Sequence, residues 1–168
     1  MKREKIIHPW PPVFDRDCRI LILGTIPSPQ SRKNNFYYGH PQNRFWQLLS
    51  DILEQKEPPH TIAEKKDFLL QRHIALWDVL KSCDITGASD NSIKNAVAND
   101  FRPLLAAAPI KAIFTTGKMA YNLYEKLCLP QTKLAAYYLP STSPANKAYY
   151  PYDRLLQEWQ IIKTYLLP

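Results

Sequence analysis

The apolar positions of this chain fall into short continuous blocks and longer periodic blocks, which predict strands and helices respectively. Residues 19–24 (RILILG) form a continuous apolar run, which is typical of a strand buried on both faces, as in a parallel sheet. Blocks over residues 73–80, 110–116 and 132–139 predict three further strands.

Apolar residues three and four positions apart predict helices between these strands. The first helix begins near residues 41–44 and ends before Pro58. A capping-box pattern at Thr61 and Glu64 predicts a second helix to about Arg72. Further helices are predicted from a cap at residues 89–92 to about 101, from Pro103, from Gly117 to a stop at Pro130, and around Leu155, Trp159 and Ile162.

Strands that alternate with helices favour a mostly parallel sheet with helices on both faces. We therefore predict an α/β fold, a three-layer α/β/α domain with a four-stranded, mostly parallel central sheet. Residues 1–168 form a single domain in this interpretation, because no repeat or linker divides them. Residues 1–18, which contain three prolines, are predicted to be an irregular lead-in, and residues 81–91 a loop.

Composition adds a charge preference and removes some protein classes. The formal net charge of +7 favours a polyanionic partner, although many basic domains bind no nucleic acid. No apolar run approaches the roughly 18 residues of a membrane span, and the basic amino-terminal segment lacks the apolar core of a signal peptide. The three cysteines are far apart and show no CxxC spacing, which favours a reduced, cytoplasmic protein without disulfides.

Common catalytic and cofactor motifs are absent from the sequence. It contains no GxxxxGK[ST], GxGxxG, GxSxG or HExxH pattern, and its four histidines show no paired spacing for a metal. We therefore expect neither a metal nor a cofactor.

Two similar loops are the best candidates for a binding site. Residues 24–31 (GTIPSPQS) follow the first predicted strand, and residues 140–146 (PSTSPAN) follow the fourth. Ligands of open α/β sheets bind at the carboxyl ends of the strands, and serine hydroxyls with free backbone N–H groups suit phosphate oxygens. The alternative is that both loops are ordinary strand-to-helix turns, in which Ser and Pro are common.

Five segments of this sequence resemble the uracil-DNA glycosylase superfamily, in particular its DNA-deoxyinosine (hypoxanthine-DNA) glycosylases. The segments are GTIPS, FYYGHPQNRFW, LWDVLKSCDITGASD, FTTGKMAY and LPSTSPAN, and the resemblance extends over about residues 18–165. It implies a monofunctional enzyme that flips a deaminated base out of DNA and hydrolyses its N-glycosidic bond with water, without metal or cofactor. Hypoxanthine is the favoured base and uracil the alternative, and the partner is double-stranded or single-stranded DNA, bound by a monomer.

Two other functions stay open. One is a uracil- or mismatch-selective DNA glycosylase, and the other is a DNA-binding member of the fold that has lost catalysis. The second alternative depends on Ile26, because many relatives have an acidic residue or Asn there to position the water, and isoleucine cannot do this.

The resemblance also implies roles for residues of the base pocket. Asn43 corresponds to a functional asparagine and is the predicted catalytic residue; its alternative role is to cap the helix that begins there. Ser141 stands where relatives often have a histidine that steadies the leaving base. Because Ile26 cannot position water and Ser141 replaces that histidine, we hypothesise that an oxocarbenium-like sugar forms before water adds. The predicted base-binding residues are Gly24, Thr25, Ile26, Pro27, Tyr38 (stacking on the base) and Ser141.

The two loops and the helix start at Gly117 supply the predicted DNA contacts. Ser143 matches a phosphate-binding serine, whereas Ala145 is too small to fill the gap that a flipped base leaves; Lys147, Tyr149 or Tyr150 are alternatives for that role. Lys118 is either a phosphate contact or a solvated lysine. The predicted DNA-binding residues are Ser28, Ser31, Lys118, Ser143, Pro144, Ala145, Asn146 and Lys147.

Overall fold

A computed structural model describes residues 2–168 of the chain as two sheets with surrounding helices. The strands are β1 (Arg3–Ile7), β2 (Ile20–Gly24), β3 (Ile74–Asp78), β4 (Leu80–Thr86), β5 (Ser89–Ala98), β6 (Ala112–Thr116) and β7 (Ala136–Leu139). The α-helices are α1 (Pro29–Lys33), α2 (Phe45–Ile52), α3 (Ile62–Gln71), α4 (Arg102–Ala107), α5 (Lys118–Leu123), α6 (Leu129–Thr132), α7 (Tyr152–Trp159) and α8 (Ile161–Leu166). A π-helix (Tyr124–Cys128) and a 3₁₀ helix (Pro144–Asn146) complete the elements.

The central sheet has four parallel strands, as predicted, and the structure shows their order to be β3-β2-β6-β7. Every residue of β2 is buried, which explains the continuous apolar run. Because the strands are parallel, β2, β3 and β6 all end at one edge, where Gly24 lies opposite Asp78. The α/β fold with a four-stranded parallel sheet is confirmed.

The alternation of side chains along β2 divides the apolar core between the two faces of this sheet. Ile20 and Ile22 pack with α2, α3, α7 and α8, whereas Leu21 and Leu23 pack with α4, α5 and a second sheet. The side chains of two adjacent positions therefore enter different cores, which restricts the register of the central strand.

The second sheet is antiparallel, has the order β1-β4-β5, and was not predicted. Three predictions are therefore wrong: residues 3–7 of the lead-in form β1, most of the predicted loop over 81–91 belongs to β4 and β5, and β5 replaces the helix predicted from residues 89–92. The turn and cap residues of this segment misled the prediction, because they lie in a hairpin of β4 and β5, and β1 pairs with β4 across a long sequence distance. Ile6 lies opposite Cys83, for example, and both side chains are buried.

Pro130 does not end a helix as predicted. The helix that follows Gly117 continues through the π-helix into α6, in which Pro130 occupies the first turn, where a missing N–H costs no hydrogen bond. The predicted capping box is confirmed: Thr61 Oγ1 accepts from the backbone N–H of Glu64 at 3.0 Å, and the Glu64 carboxylate accepts from the N–H of Thr61.

Trp159 attaches α7 to the loop that follows β7. Its side chain is fully buried, and its Nε1–H donates to the carbonyl of Pro140 at 3.0 Å. We expect Trp159→Phe to lower the free energy of unfolding by about 1–3 kcal/mol, because the buried carbonyl loses its donor. Urea denaturation measures this loss. Trp77→Phe is the control, since the Trp77 Nε1 makes no hydrogen bond with the described residues, and an equal loss in both variants would contradict the role of the Pro140 bond.

Candidate active site

A cavity of about 360 Å³ opens at the carboxyl edge of the parallel sheet, where ligands of open α/β sheets bind. The loop after β2 forms one wall, the loop after β7 forms the opposite wall, and the segment before α2 lies between them. The structure thus brings together the two loops that the sequence analysis selected. All six residues predicted to bind the base line this cavity: Gly24, Thr25, Ile26, Pro27, Tyr38 and Ser141.

The floor of the cavity requires glycine at position 24. A Cβ atom on Gly24 would lie 2.6 Å from Oδ1 of Asp78 and 3.1 Å from the hydroxyl oxygen of Tyr38. Any other residue would therefore displace a carboxylate or an aromatic side chain from the cavity. This close approach explains the glycine at the end of β2.

Asp78 is a cavity residue that the sequence analysis did not select. Its carboxylate is buried, and its Oδ2 lies 2.7 Å from Nε2 of His8. The Nδ1 of His8 accepts a hydrogen bond from the backbone N–H of Trp10 at 3.3 Å, so Nε2 carries the proton in neutral His8 and donates to Asp78. The only sequence signal was the LWD segment, and His8 lies in the part predicted to be irregular.

Tyr38 is held rigidly on one side of the cavity. Its ring stacks on Phe45 with centroids 3.9 Å apart and an angle of 9° between the planes. Its hydroxyl lies 3.2 Å from Oγ1 of Thr116. Burial, followed by the charge of Asp78, raises the pKa of the phenol, which therefore stays protonated. Phe45 thus covers one face of the Tyr38 ring. Stacking of the flipped base on the other face stays a prediction.

Asn43 lies one position before Arg44, the N-cap residue of α2, binds the first backbone N–H of that helix, and still has a free donor. Its Oδ1 accepts from the backbone N–H of Phe45 at 2.9 Å and from the hydroxyl of Thr142 at 2.8 Å. Because a backbone N–H can only donate, this contact assigns the amide oxygen and leaves Nδ2 as the other atom. Nδ2 makes no hydrogen bond to residues 2–168, and Asn43 lines the cavity. The side chain can therefore cap α2 and donate to a ligand at the same time.

Thr142 joins the loop after β7 to the segment before α2, and sequence reasoning missed it. Its side chain is buried, its hydroxyl donates to Asn43, and its carbonyl accepts from the backbone N–H of Arg44 at 3.2 Å. The neighbouring Ser141 lies against Gly117, where an added Cβ would be 3.3 Å from the Cβ of Ser141. Gly117 also has a φ of 90°, which other residues rarely adopt.

The predicted DNA contacts divide between this cavity and a second one. A neighbouring cavity of about 740 Å³ contains Lys118 and Asn146, whereas Lys147 lines neither cavity. Ser31 is buried, and its hydroxyl accepts from the backbone N–H of Gly39 at 3.0 Å, so it serves the loop itself. The predicted contacts that line the first cavity are Ser28, Ser31, Ser143, Pro144 and Ala145.

Residues 2–168 contain no group of three or more His, Cys, Asp or Glu side chains that could hold a metal ion, and no helix among them is long and apolar enough to cross a membrane. Burial raises the pKa of Cys18 and Cys83 to about 11 and that of Cys128 to about 12, so these thiols are protonated at neutral pH.

Comparison with known proteins identifies the family. The model of the family described as "Uracil DNA glycosylase superfamily" matches residues 11–165. The chain belongs to the uracil DNA glycosylase superfamily. The assignment predicted from the five segments is confirmed, and with it that of a DNA glycosylase, a hydrolase that acts on N-glycosyl bonds.

Two curated proteins share much of this sequence. A "Hypoxanthine DNA glycosylase" of Methanosarcina barkeri is 37% identical over 142 residues, which are 82% of this chain and 87% of the relative. A protein of the same name from Methanosarcina acetivorans is 34% identical over 144 residues, covering 83% and 88% of the two chains. The solution NMR structure of a Methanosarcina acetivorans protein, provisionally titled a uracil DNA glycosylase, superposes with a TM-score of 0.81 at 31% identity over 95% of this chain and 97% of that one.

Asn43→Asp separates capping from catalysis. Aspartate keeps an oxygen for the Phe45 N–H and the Thr142 hydroxyl but replaces the free donor by an acceptor. We expect its free energy of unfolding to stay within about 0.5 kcal/mol of the parent and its rate of base excision to fall about 100-fold. Asn43→Ala should lose similar activity and about 1 kcal/mol of stability. Single-turnover kinetics measure the rate of base excision, and urea denaturation measures the free energy of unfolding. Full activity of Asn43→Asp would show that Asn43 only caps α2.

Proposed function

We propose that this protein removes hypoxanthine from DNA as a monofunctional glycosylase, acting as a monomer in the cytoplasm, with uracil as a second substrate base. The target nucleotide leaves the duplex and its base enters the cavity at the carboxyl edge of the sheet. The printed names of the two curated relatives support hypoxanthine as the substrate.

The free amide donor of Asn43 is the observation that carries the proposed chemistry. When an N-glycosidic bond breaks, the electron pair of the bond moves into the base, whose nitrogen and carbonyl oxygen atoms gain negative charge. A preorganised donor in a partly closed cavity stabilises such charge more than it stabilises the neutral substrate. A neutral amide cannot remove a proton from water, so Asn43 acts on the leaving base or holds water by donating to its oxygen.

Ile26 supports an order of events in which the base leaves first. Its side chain packs against the core and lines the cavity where many relatives position water. The loop therefore offers no polar side chain at this position to activate a nucleophile. An oxocarbenium-like sugar that forms before water adds needs no such activation, and the negative phosphates of DNA stabilise its positive charge.

The surroundings of the cavity suit a DNA strand. The second cavity shares Asp90, Thr116 and Ser141 with the first and adds Lys118 and Arg154, two cationic side chains. Tyr149 lies at its edge and is 75% exposed, whereas Ala145 has only a methyl group. Of the alternatives considered for the gap left by the flipped base, Tyr149 is the most exposed aromatic side chain. We infer that double-stranded DNA is the substrate, with single-stranded DNA as the alternative.

A DNA-binding protein without catalysis is the second candidate. Ile26 and Ser141 favour it, since both positions lack the side chains with which relatives position water and steady the leaving base. This candidate predicts the same DNA binding and no excision.

One assay distinguishes these functions. The purified protein is incubated with duplex and single-stranded DNA that carry one hypoxanthine, uracil or xanthine, and alkali then cleaves any abasic site. We expect strand breaks at hypoxanthine, fewer at uracil and none in undamaged DNA. Cleavage at uracil alone would contradict the proposed substrate. Binding without any strand break would contradict catalysis and favour the DNA-binding alternative.

A further inference from the structure

The buried pair of His8 and Asp78 has no role in the function proposed so far. Asp78 is the one acidic side chain that is buried among residues 2–168, and its partner there is His8, with no lysine or arginine nitrogen within 4 Å of its carboxylate. Burying a carboxylate costs several kcal/mol unless hydrogen bonds compensate. A carboxylate retained under these conditions in a cavity indicates a function rather than a contribution to stability.

The pair determines which oxygen of Asp78 is free. Nε2–H of His8 donates to Oδ2, and this proton position is held by the backbone N–H of Trp10, which donates to the opposite ring nitrogen. Oδ1 makes no hydrogen bond to the described residues and lies against Gly24, which also lines the cavity. The cavity therefore presents one fixed acceptor, Oδ1 of Asp78, and one fixed donor, Nδ2 of Asn43.

This donor and acceptor match the edge of a deaminated base. Hypoxanthine has an N1–H donor beside the O6 acceptor, and uracil has an N3–H between two carbonyl groups. Adenine has the reverse pattern, a lone pair on N1 beside an amino group. A carboxylate oxygen that faces the N1 of adenine meets another acceptor. This buried oxygen then receives no hydrogen bond from the base.

We propose that His8 and Asp78 select the base: His8 fixes the carboxylate so that Oδ1 of Asp78 accepts the N1–H of hypoxanthine and rejects adenine. This inference rests on the proposed function. Asp78 touches the base and is a specificity residue, whereas His8 acts through Asp78 and is a positioning residue.

The orientation imposed by His8 makes Asp78→Asn a sharp test. The amide oxygen must accept from Nε2–H of His8, so the NH₂ group of the asparagine turns to the cavity and replaces an acceptor by a donor. We expect hypoxanthine excision to fall about 100-fold while adenine excision, which the unsubstituted protein does not show, becomes detectable. Asp67→Asn makes the same substitution at an exposed position that lines neither cavity and should leave both excision rates unchanged.

A second variant tests whether His8 sets the orientation. In His8→Ala/Asp78→Asn the amide is free to rotate, and its oxygen can again face the cavity. We expect this double variant to excise hypoxanthine about 10-fold faster than Asp78→Asn alone, although it has lost a further side chain. A merely structural pair would give the opposite result, since the second substitution would then lower activity again. Thermal unfolding of each variant shows that the compared proteins are folded.

The outcomes separate this inference from the function on which it rests. If the unsubstituted protein excises no hypoxanthine, the proposed function fails. If it excises hypoxanthine and Asp78→Asn keeps the same preference over adenine, the base-selecting role of His8 and Asp78 is overturned. Loss of hypoxanthine excision in Asp78→Asn without any adenine excision, and without recovery in the double variant, would also overturn it.

Discussion

The hydrogen bond from the hydroxyl of Thr142 to Oδ1 of Asn43 is the contact on which the cavity depends. It joins the loop after β7 to the segment before α2, and the carbonyl of Thr142 returns a bond to the N–H of Arg44. Together with the Phe45 N–H it occupies the amide oxygen of Asn43, so the amide can only donate to a ligand. One buried threonine thus fixes both the position of the loop after β7 against the segment before α2 and the polarity of the Asn43 side chain.

A comparable constraint operates on the opposite side, where His8 occupies one oxygen of Asp78. Asn43 and Asp78 each carry two terminal polar atoms, and in each side chain the protein binds one of these two atoms. The free end is then defined without any ligand, which lowers the reorganisation required when a base enters. Gly24 permits this arrangement, since a larger residue would occupy the space next to Oδ1. Catalysis and base selection therefore rest on the same principle, hydrogen-bonding groups that are oriented before the base enters.

Local patterns predicted the parts of the fold that local sequence determines. The apolar run of β2 and the capping box of Thr61 and Glu64 are short-range signals, and both appear in the structure. In the sheet of β1, β4 and β5, β1 was missed because it pairs with a strand far along the chain, whereas β4 and β5 form a local hairpin whose turn residues also favour a loop and a helix cap. His8 was missed for the same reason, since it reaches Asp78 only through this sheet. Asn43 was selected from the sequence, but the direction of its amide depends on Thr142, which is distant in sequence and close only in the fold.

The most direct test of the central claim is the structure of this protein with a duplex that contains 2′-fluoro-deoxyinosine. The electron-withdrawing fluorine disfavours the oxocarbenium-like sugar, so the glycosidic bond survives while the base occupies its binding site. The account predicts hypoxanthine in the cavity, with Nδ2 of Asn43 and Oδ1 of Asp78 each within about 3.2 Å of a polar atom of the base. A base that stays stacked in the duplex, or that enters the cavity without contact to either side chain, would contradict the account.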